Sequence, residues 1–261
     1  MSERADGDFV QSLARGLSVI RAFDADHPEL TLSDVARRAG ITRAAARRFL
    51  LTLEALGYVA PSTGSGTGKS FRLTPRVLEL GFSYLSSLSL PEIVQPHLEA
   101  LSRDVDESVS AAVLDGADIV YIARVPTRRI MSVRITIGTR FPAYATSMGR
   151  VLLAGLTDAA ADAALAASAL AQLTERTVTD PGALRAELER VRAQGWSVVD
   201  GELEPGLRSV AAPLRARDGS VVAALNVSTS ATRDSVDHLL EVYLPPLLRT
   251  AASIEAELRL V

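Results

Sequence analysis

Apolar residues recur at three- and four-residue steps through residues 9–88 and change to strand-like alternation near Ser108. The pattern therefore predicts a helical amino-terminal part followed by a mixed one. In Phe9–Phe23, Val10, Leu13, Leu17, Ile20 and Phe23 share a helix face, so a first helix packs behind the next two. Thr31, with Asp34 three residues on, is a capping arrangement: the hydroxyl takes an orphan backbone N–H and the carboxylate faces the positive helix end. Leu32, Val35, Ala36 and Ala39 fall on one side of this second helix, and Gly40 supplies the positive φ that turns the chain. Thr42 caps a third helix with the stripe Ala46, Phe49, Leu50, Leu53 and Leu56 inward. Arg43, Ala44, Arg47 and Arg48 lie on its other face, near the start. Two helices, a tight turn and a basic, small-residue surface make a helix-turn-helix.

After Gly57, Tyr58-Val59 and Phe71-Arg72-Leu73 read as short strands around PSTGSGTGKS, a wing able to lie along a phosphate backbone. Thr74-Pro75 starts a linker helix with Val77, Leu78, Leu80, Leu85 and Leu88 on one face, and a further helix runs from about Pro91 to Asp104. Then come SVSAAVL and ADIVYIARV around Asp115-Gly116, a strong hairpin signal, and a third strand at Ile130–Ile137. A loop is expected at Gly138–Pro142, helices at Thr146–Leu156, 158–170 and 181–194, and a strand at Trp196–Val199. Gly201–Gly206 reads as a polar loop, Ser209–Leu214 and Val221–Ser228 as strands turned at Asp218-Gly219, and Arg233–Leu258 as a last helix bent at Pro245-Pro246. An antiparallel sheet with helices on it is an α+β domain.

Charge sharpens the division. The whole chain carries −3, yet residues 1–90 hold 11 Lys and Arg against 9 Asp and Glu, net +2, while the remainder is net −5. Positive charge is thus gathered where the helix-turn-helix falls, which favours duplex DNA over a merely solvated helical pair. Cysteine is absent, excluding disulfides and thiolate zinc sites. The polar, acidic MSERADGDF resembles no signal peptide, and no run of about 18 apolar residues suits a membrane span, so the expected compartment is the cytoplasm.

Catalytic signatures are weak. GSGTGKS superficially matches a phosphate-binding loop, but Gly64 to Gly68 encloses three residues where four are needed, and a strand follows where a helix is required. His27, His97 and His238 have no triad or metal spacing, and Glu202 and Glu204 share what reads as a solvated turn. No cofactor, metal or catalytic residue is expected. An enzyme converting a small acid stands as the reading from another class.

Three stretches together carry a family resemblance: the winged helix-turn-helix of residues 9–73, IGTRFPAYATSMGRVLLAGL at 137–156 and GWSVVDGELEPGLRSVAAPLRARDGSVVAALNVS at 195–228. The chain resembles the IclR family of bacterial transcriptional regulators over nearly its whole length. SLARGLSVIRAF and AYATSMGRVLLA are most similar to the branch that controls 4-hydroxybenzoate and protocatechuate catabolism through the β-ketoadipate pathway. The resemblance implies a winged helix-turn-helix DNA-binding domain at 1–74, a linker helix at 75–90, and a GAF-like effector-binding and oligomerisation domain at 91–261. It also implies dimers or tetramers on palindromic promoter DNA, without membrane attachment. The effector would be a small carboxylic acid, aromatic or β-ketoadipate-like, with an aliphatic acid as the alternative. Thr42, Arg43, Ala44 and Arg47 would meet base edges; Lys69 and Ser70 would meet phosphate, as would Arg48 unless its own fold claims it. The pocket would be lined by Ile130, Val133, Phe141 and Leu207, with polar contacts from the Ser147-Met148 backbone, Ser209, Asn226 and Ser228. Val199 stands where a relative binding two- and three-carbon acids has aspartate, and Ser209 where it has cysteine. Read from their chemistry, Phe141 and Tyr144 are suited to stack on a ring, and the helix opening at Thr146-Ser147 to bind an anion. Arg134, mid-strand among apolar neighbours, is either a bidentate carboxylate partner or a solvent-facing strand residue.

Overall fold

The computed structural model describes residues 9–24, 26–62, 69–80, 90–127 and 135–259. The chain divides into two compact units, Met1–Ser87 and Leu88–Val261.

In the first, α1 (Gln11–Arg21), β1 (Glu29–Thr31), α2 (Leu32–Arg38) and α3 (Arg43–Ala55) precede β2 (Val59–Ser62) and β3 (Ser70–Leu73). The expected caps form: the Thr31 hydroxyl accepts from the Asp34 amide, and the Thr42 hydroxyl from the Ala45 amide. Gly40 turns the chain with φ +65°. Val19, Phe23, Leu30, Val35, Ala46, Leu50, Val59 and Phe71 are buried in a single cluster. Three expectations change here. Buried side chains of α1 and its end are Val19, Ala22 and Phe23, whereas Val10, Leu13 and Leu17 are 59, 63 and 48% exposed. Leu56 caps α3 and is exposed, because the core is closed one turn earlier by Leu53. A third strand, β1, pairs antiparallel with β3, making the sheet order β1-β3-β2. Within the expected linker helix, Pro75–Val77 form a 3-10 turn capped by Thr74, residues 78–80 are helical, and residues 81–89 fall outside those described.

The second unit opens with α4 (Leu90–Val105), which carries Pro96 inside it and buries Leu90, Val94, Leu98 and Leu101. Strands β4 (Ser108–Asp115), β5 (Asp118–Val125), β6 (Arg140–Pro142), β7 (Ser197–Asp200), β8 (Leu207–Arg215) and β9 (Val221–Ser230) form one antiparallel sheet, ordered β6-β5-β4-β9-β8-β7. Between them lie α5 (Ser147–Ala154), α6 (Asp158–Ala167) and α7 (Pro181–Gln194). The hairpin turns at Gly116, φ +65°, as its sequence requires. The edge strand falls at Arg140–Pro142, where a loop was expected; the anticipated strand Ile130–Ile137 is largely outside the described residues, and 135–139 are irregular. Phe141 explains the placement, since it lies opposite Ile119 and packs edge-on against Tyr121. After β9 the chain makes one helical turn, α8 (Val236–His238), a π-helical turn over Leu239–Tyr243, and α9 (Leu244–Leu258). Pro245 and Pro246 have no N–H to return to the preceding turn, so the ladder changes register before them.

One face of the sheet packs against α5, the other against α4 and α9. Every residue of α5 is buried.

Candidate functional site

Arginine partners separate the two helices of the helix-turn-helix. On α2, Arg37 pairs with Asp34, and Arg38 binds both Asp24 and the Ala22 carbonyl. Their cations are held by their own fold. On α3, Thr42, Arg43, Ala44, Arg47 and Arg48 are all exposed, and none of the three arginine side chains has a hydrogen-bond or ion-pair partner among the described residues. Unpaired guanidinium groups beside small side chains at a helix start are what a major groove admits. Lys69 stands 4.0 Å from Glu54 and 5.5 Å from the Phe71 ring centroid, still mostly exposed; Ser70, half-buried, begins β3 opposite Ser62 and Thr31.

In the second unit, a narrow cavity of about 20 Å³ lies between the start of α5 and the sheet. Its walls include seven residues expected from the sequence: Ser147, Met148, Val199, Leu207, Ser209, Asn226 and Ser228. Cross-strand register accounts for their meeting, since Ser108, Ser228, Ser209 and Val199 lie opposite one another on successive strands and share a face. Ser147 and Ser209 hydroxyls are 2.8 Å apart, and the Asn226 amide nitrogen donates to Ser228 at 2.8 Å. The Asn226 side-chain oxygen is buried without a partner among the described residues. An unpaired buried carbonyl oxygen is costly and awaits a donor.

The sequence Ser147-Met148-Gly149-Arg150 now has a reason at each position. Thr146 caps the helix through the Gly149 amide, Ser147 points across to β8, and Met148 enters the core. Gly149 has no alternative, because a Cβ there would lie 2.1 Å from the Ala143 carbonyl oxygen. Arg150, 3% exposed, donates to the Tyr144 carbonyl at 3.0 Å and pairs with Glu202 at 2.5 Å. This corrects the reading of Glu202 as part of a solvated turn. Its carboxylate is buried and also accepts from the Val178 amide at 3.0 Å, while Thr177 donates to its backbone carbonyl. The clamp fixes the 201–206 loop, which brings Leu203 to the cavity.

Other expected residues fall elsewhere. Tyr144 is buried with its hydroxyl donating to the Ala171 carbonyl at 2.7 Å, so it is spent on the core rather than on a ring. Phe141 supports Tyr121 from behind, centroids 5.9 Å apart, and does not line the cavity. Ile130, Val133 and Arg134 lie outside the described residues. Sequence reasoning missed Tyr121, Ile135, Ala145 and Leu203, whereas Thr146, expected only as part of an anion-binding helix start, also lines the cavity. Leu203, the one apolar side chain inside Gly201–Gly206, was the available signal.

A winged helix-turn-helix joined in one chain to an α+β unit with a buried polar cavity defines a ligand-responsive DNA-binding regulator. The family described as "IclR helix-turn-helix domain" matches residues 12–62, and "Bacterial transcriptional regulator IclR C-terminal" matches residues 82–256. The Pca regulon regulatory protein of Pseudomonas putida is 46% identical over 250 residues, 95% of this chain and 84% of that protein. A solved transcriptional-regulator structure from Rhodococcus sp. RHA1 is 60% identical, with TM-score 0.84, covering 96% of this chain and 98% of that one. The structure of an IclR homolog complexed with 4-hydroxybenzoate, from Microbacterium hydrocarbonoxydans, is 28% identical with TM-score 0.83, covering 96% and 100%. The chain belongs to the IclR family of bacterial transcriptional regulators. Among the described residues no helix is long and apolar enough to cross a membrane.

Proposed function

We propose that this regulator controls genes for aromatic acid breakdown, and that its effector is an aromatic carboxylic acid held in the cavity between α5 and β7, β8 and β9. The observation that carries the reading is the lining of the cavity: Tyr121, Met148, Val199, Leu203 and Leu207 supply apolar walls among which Ser147, Ser209, Asn226 and Ser228 present polar groups. A relative is named for the Pca regulon, and a homolog of the same fold was solved with 4-hydroxybenzoate. Val199 in place of a carboxylate suits a ring better than a short aliphatic acid. In this reading residues 1–74 read DNA, 75–90 link, and 91–261 bind effector and self-associate, all in the cytoplasm where the promoter is. Thr42, Arg43, Ala44 and Arg47 face base edges, with Arg48, Lys69 and Ser70 on phosphate. The exposed stripe of Val10, Leu13 and Leu17 favours a second copy as its cover, consistent with a palindromic operator. Effector binding is linked to operator affinity through the linker.

The test is fluorescence anisotropy of the full chain on its own upstream promoter, with and without 4-hydroxybenzoate, protocatechuate, β-ketoadipate and acetate. An aromatic acid should shift the affinity while β-ketoadipate and acetate do not. Arg43→Ala should cost about 1–3 kcal/mol at the cognate site. A promoter ignored at low salt, or a response to acetate alone, overturns the reading.

A further inference from the structure

A β-bulge places a cation on the cavity face where plain alternation would turn it away. In β5, Tyr121 and Arg124 are three residues apart, and strict two-residue alternation would send them to opposite faces. The pairing with β4, however, runs Ser110 with Arg124, Ala111 with Ala123, and Ala112 with Tyr121, so the strand carries one extra residue. Ser110 and Ala112 share a face, and Tyr121 and Arg124 therefore do too. On β9, Asn226 lies opposite Ser110. The row Arg124, Ser110, Asn226 thus crosses three neighbouring strands beside the cavity that Tyr121 and Asn226 line.

Three side chains on this face have hydrogen-bonding atoms left unfilled among the described residues. Arg124 is half-buried with no carboxylate on it among the described residues; it makes one long contact, 3.4 Å to the Ser110 hydroxyl, and its Nε is buried unpaired. Tyr121 is 4% exposed, and its hydroxyl makes no hydrogen bond among the described residues. Asn226 leaves its side-chain oxygen empty. Burial pushes the Tyr121 phenol up to about 12, keeping it a donor, and pulls the Arg124 guanidinium below its ordinary value. A desolvated guanidinium with unfilled donors calls for a planar, bidentate anion. We propose that Arg124, assisted by the Tyr121 hydroxyl, is the carboxylate anchor of the effector, and that the Asn226 side-chain oxygen accepts a hydrogen bond from a ring hydroxyl toward the other end.

The proposal rests on the aromatic-acid reading above and gives it an orientation. The acid enters with its carboxylate toward β5 and its hydroxylated end toward β9. It also separates two chemical demands on the ligand, charge at one end and a donor at the other.

The experiment is isothermal titration of the full chain with 4-hydroxybenzoate, its neutral isostere 4-hydroxybenzamide, and benzoate. Wild type should prefer the acid over the amide by at least about tenfold. Arg124→Gln should lose about 10–100-fold for 4-hydroxybenzoate while changing the amide little, so that the preference disappears. Asn226→Ala should instead equalise 4-hydroxybenzoate and benzoate. Unliganded Arg124→Gln should melt at or above wild type, because a cation with an unfilled buried donor has been removed; a merely structural arginine would lower the melting point and weaken all probes alike. If wild type binds 4-hydroxybenzoate and Arg124→Gln binds it as tightly with the preference intact, the anchor assignment falls and the effector reading stands. If wild type binds none of the three, both fall.

Discussion

Replacing Glu202 by Gln isolates the charge in the Arg150–Glu202 clamp. The amide keeps the carboxylate's shape and an oxygen for the Val178 amide, 3.0 Å away in the parent, but withdraws the negative charge from a guanidinium only 3% exposed. Breaking one partner of a buried pair typically costs about 3–5 kcal/mol, because the survivor is left desolvated and uncompensated. Glu187 stands 4.0 Å from Arg150 on its other side and recovers part of this, so the lower end, about 3 kcal/mol, is expected. For a unit of this size that corresponds to about 6–12 °C in melting temperature. Differential scanning calorimetry on the full chain reads it directly. Arg150→Met tests the same pair from the other side, and the double variant should lose much less than the two single losses combined, since neither charge is then orphaned. A Glu202→Gln melting point within about 2 °C of wild type, or losses that simply add, would refute the idea that these charges depend on each other.

The geometry sets two further outcomes. Gly149→Ala puts a methyl 2.1 Å from backbone oxygen and should cost at least about 3 kcal/mol in urea denaturation; Gly155→Ala meets the Val221 side chain at 2.6 Å and backbone no nearer than the Leu152 oxygen at 3.3 Å, and should cost less, and the reverse order would discredit the argument from close approach. The Arg208 hydrogen bonds hold the Asp200 carboxyl below its ordinary value of 3.8, against an opposing push from burial. Because the folded value is the lower one, that stabilisation is complete above about pH 4 and is lost as pH falls below it, so wild type should lose more melting temperature between pH 5 and pH 3 than Asp200→Asn does. Equal slopes would remove Asp200 from the acid response.

Much of the fold was legible because its signals are local. Thr31, Thr42 and Thr146 cap where hydroxyls precede apolar periods, and Asp115-Gly116 turns where two strands need a positive φ. What escaped depends on neighbours distant in sequence. Three-residue β1 exists only because β3 pairs with it. Leu13 and Leu17 show the same period as a core stripe, and periodicity does not say whether the cover is this chain or another. Glu202 looked solvated because its partner lies 52 residues away. Seven cavity residues were recoverable from motifs, whereas Tyr144 was preferred to Tyr121 as the cavity aromatic because aromatic character alone does not reveal that one hydroxyl is already spent on Ala171.

The complete enclosure of α5 has a consequence for how ligand preference can diversify. Beyond Ser147 and Met148 at the cavity, its residues are committed to core, close approach or clamp, so mutational drift along most of that helix is filtered by folding before it is tested for ligand choice. Innovation is channelled to the opposite wall, where Val199, Ser209 and Asn226 can be exchanged without dismantling the scaffold. Descendants that acquire new inducers should therefore differ on the strands while keeping the helix nearly frozen.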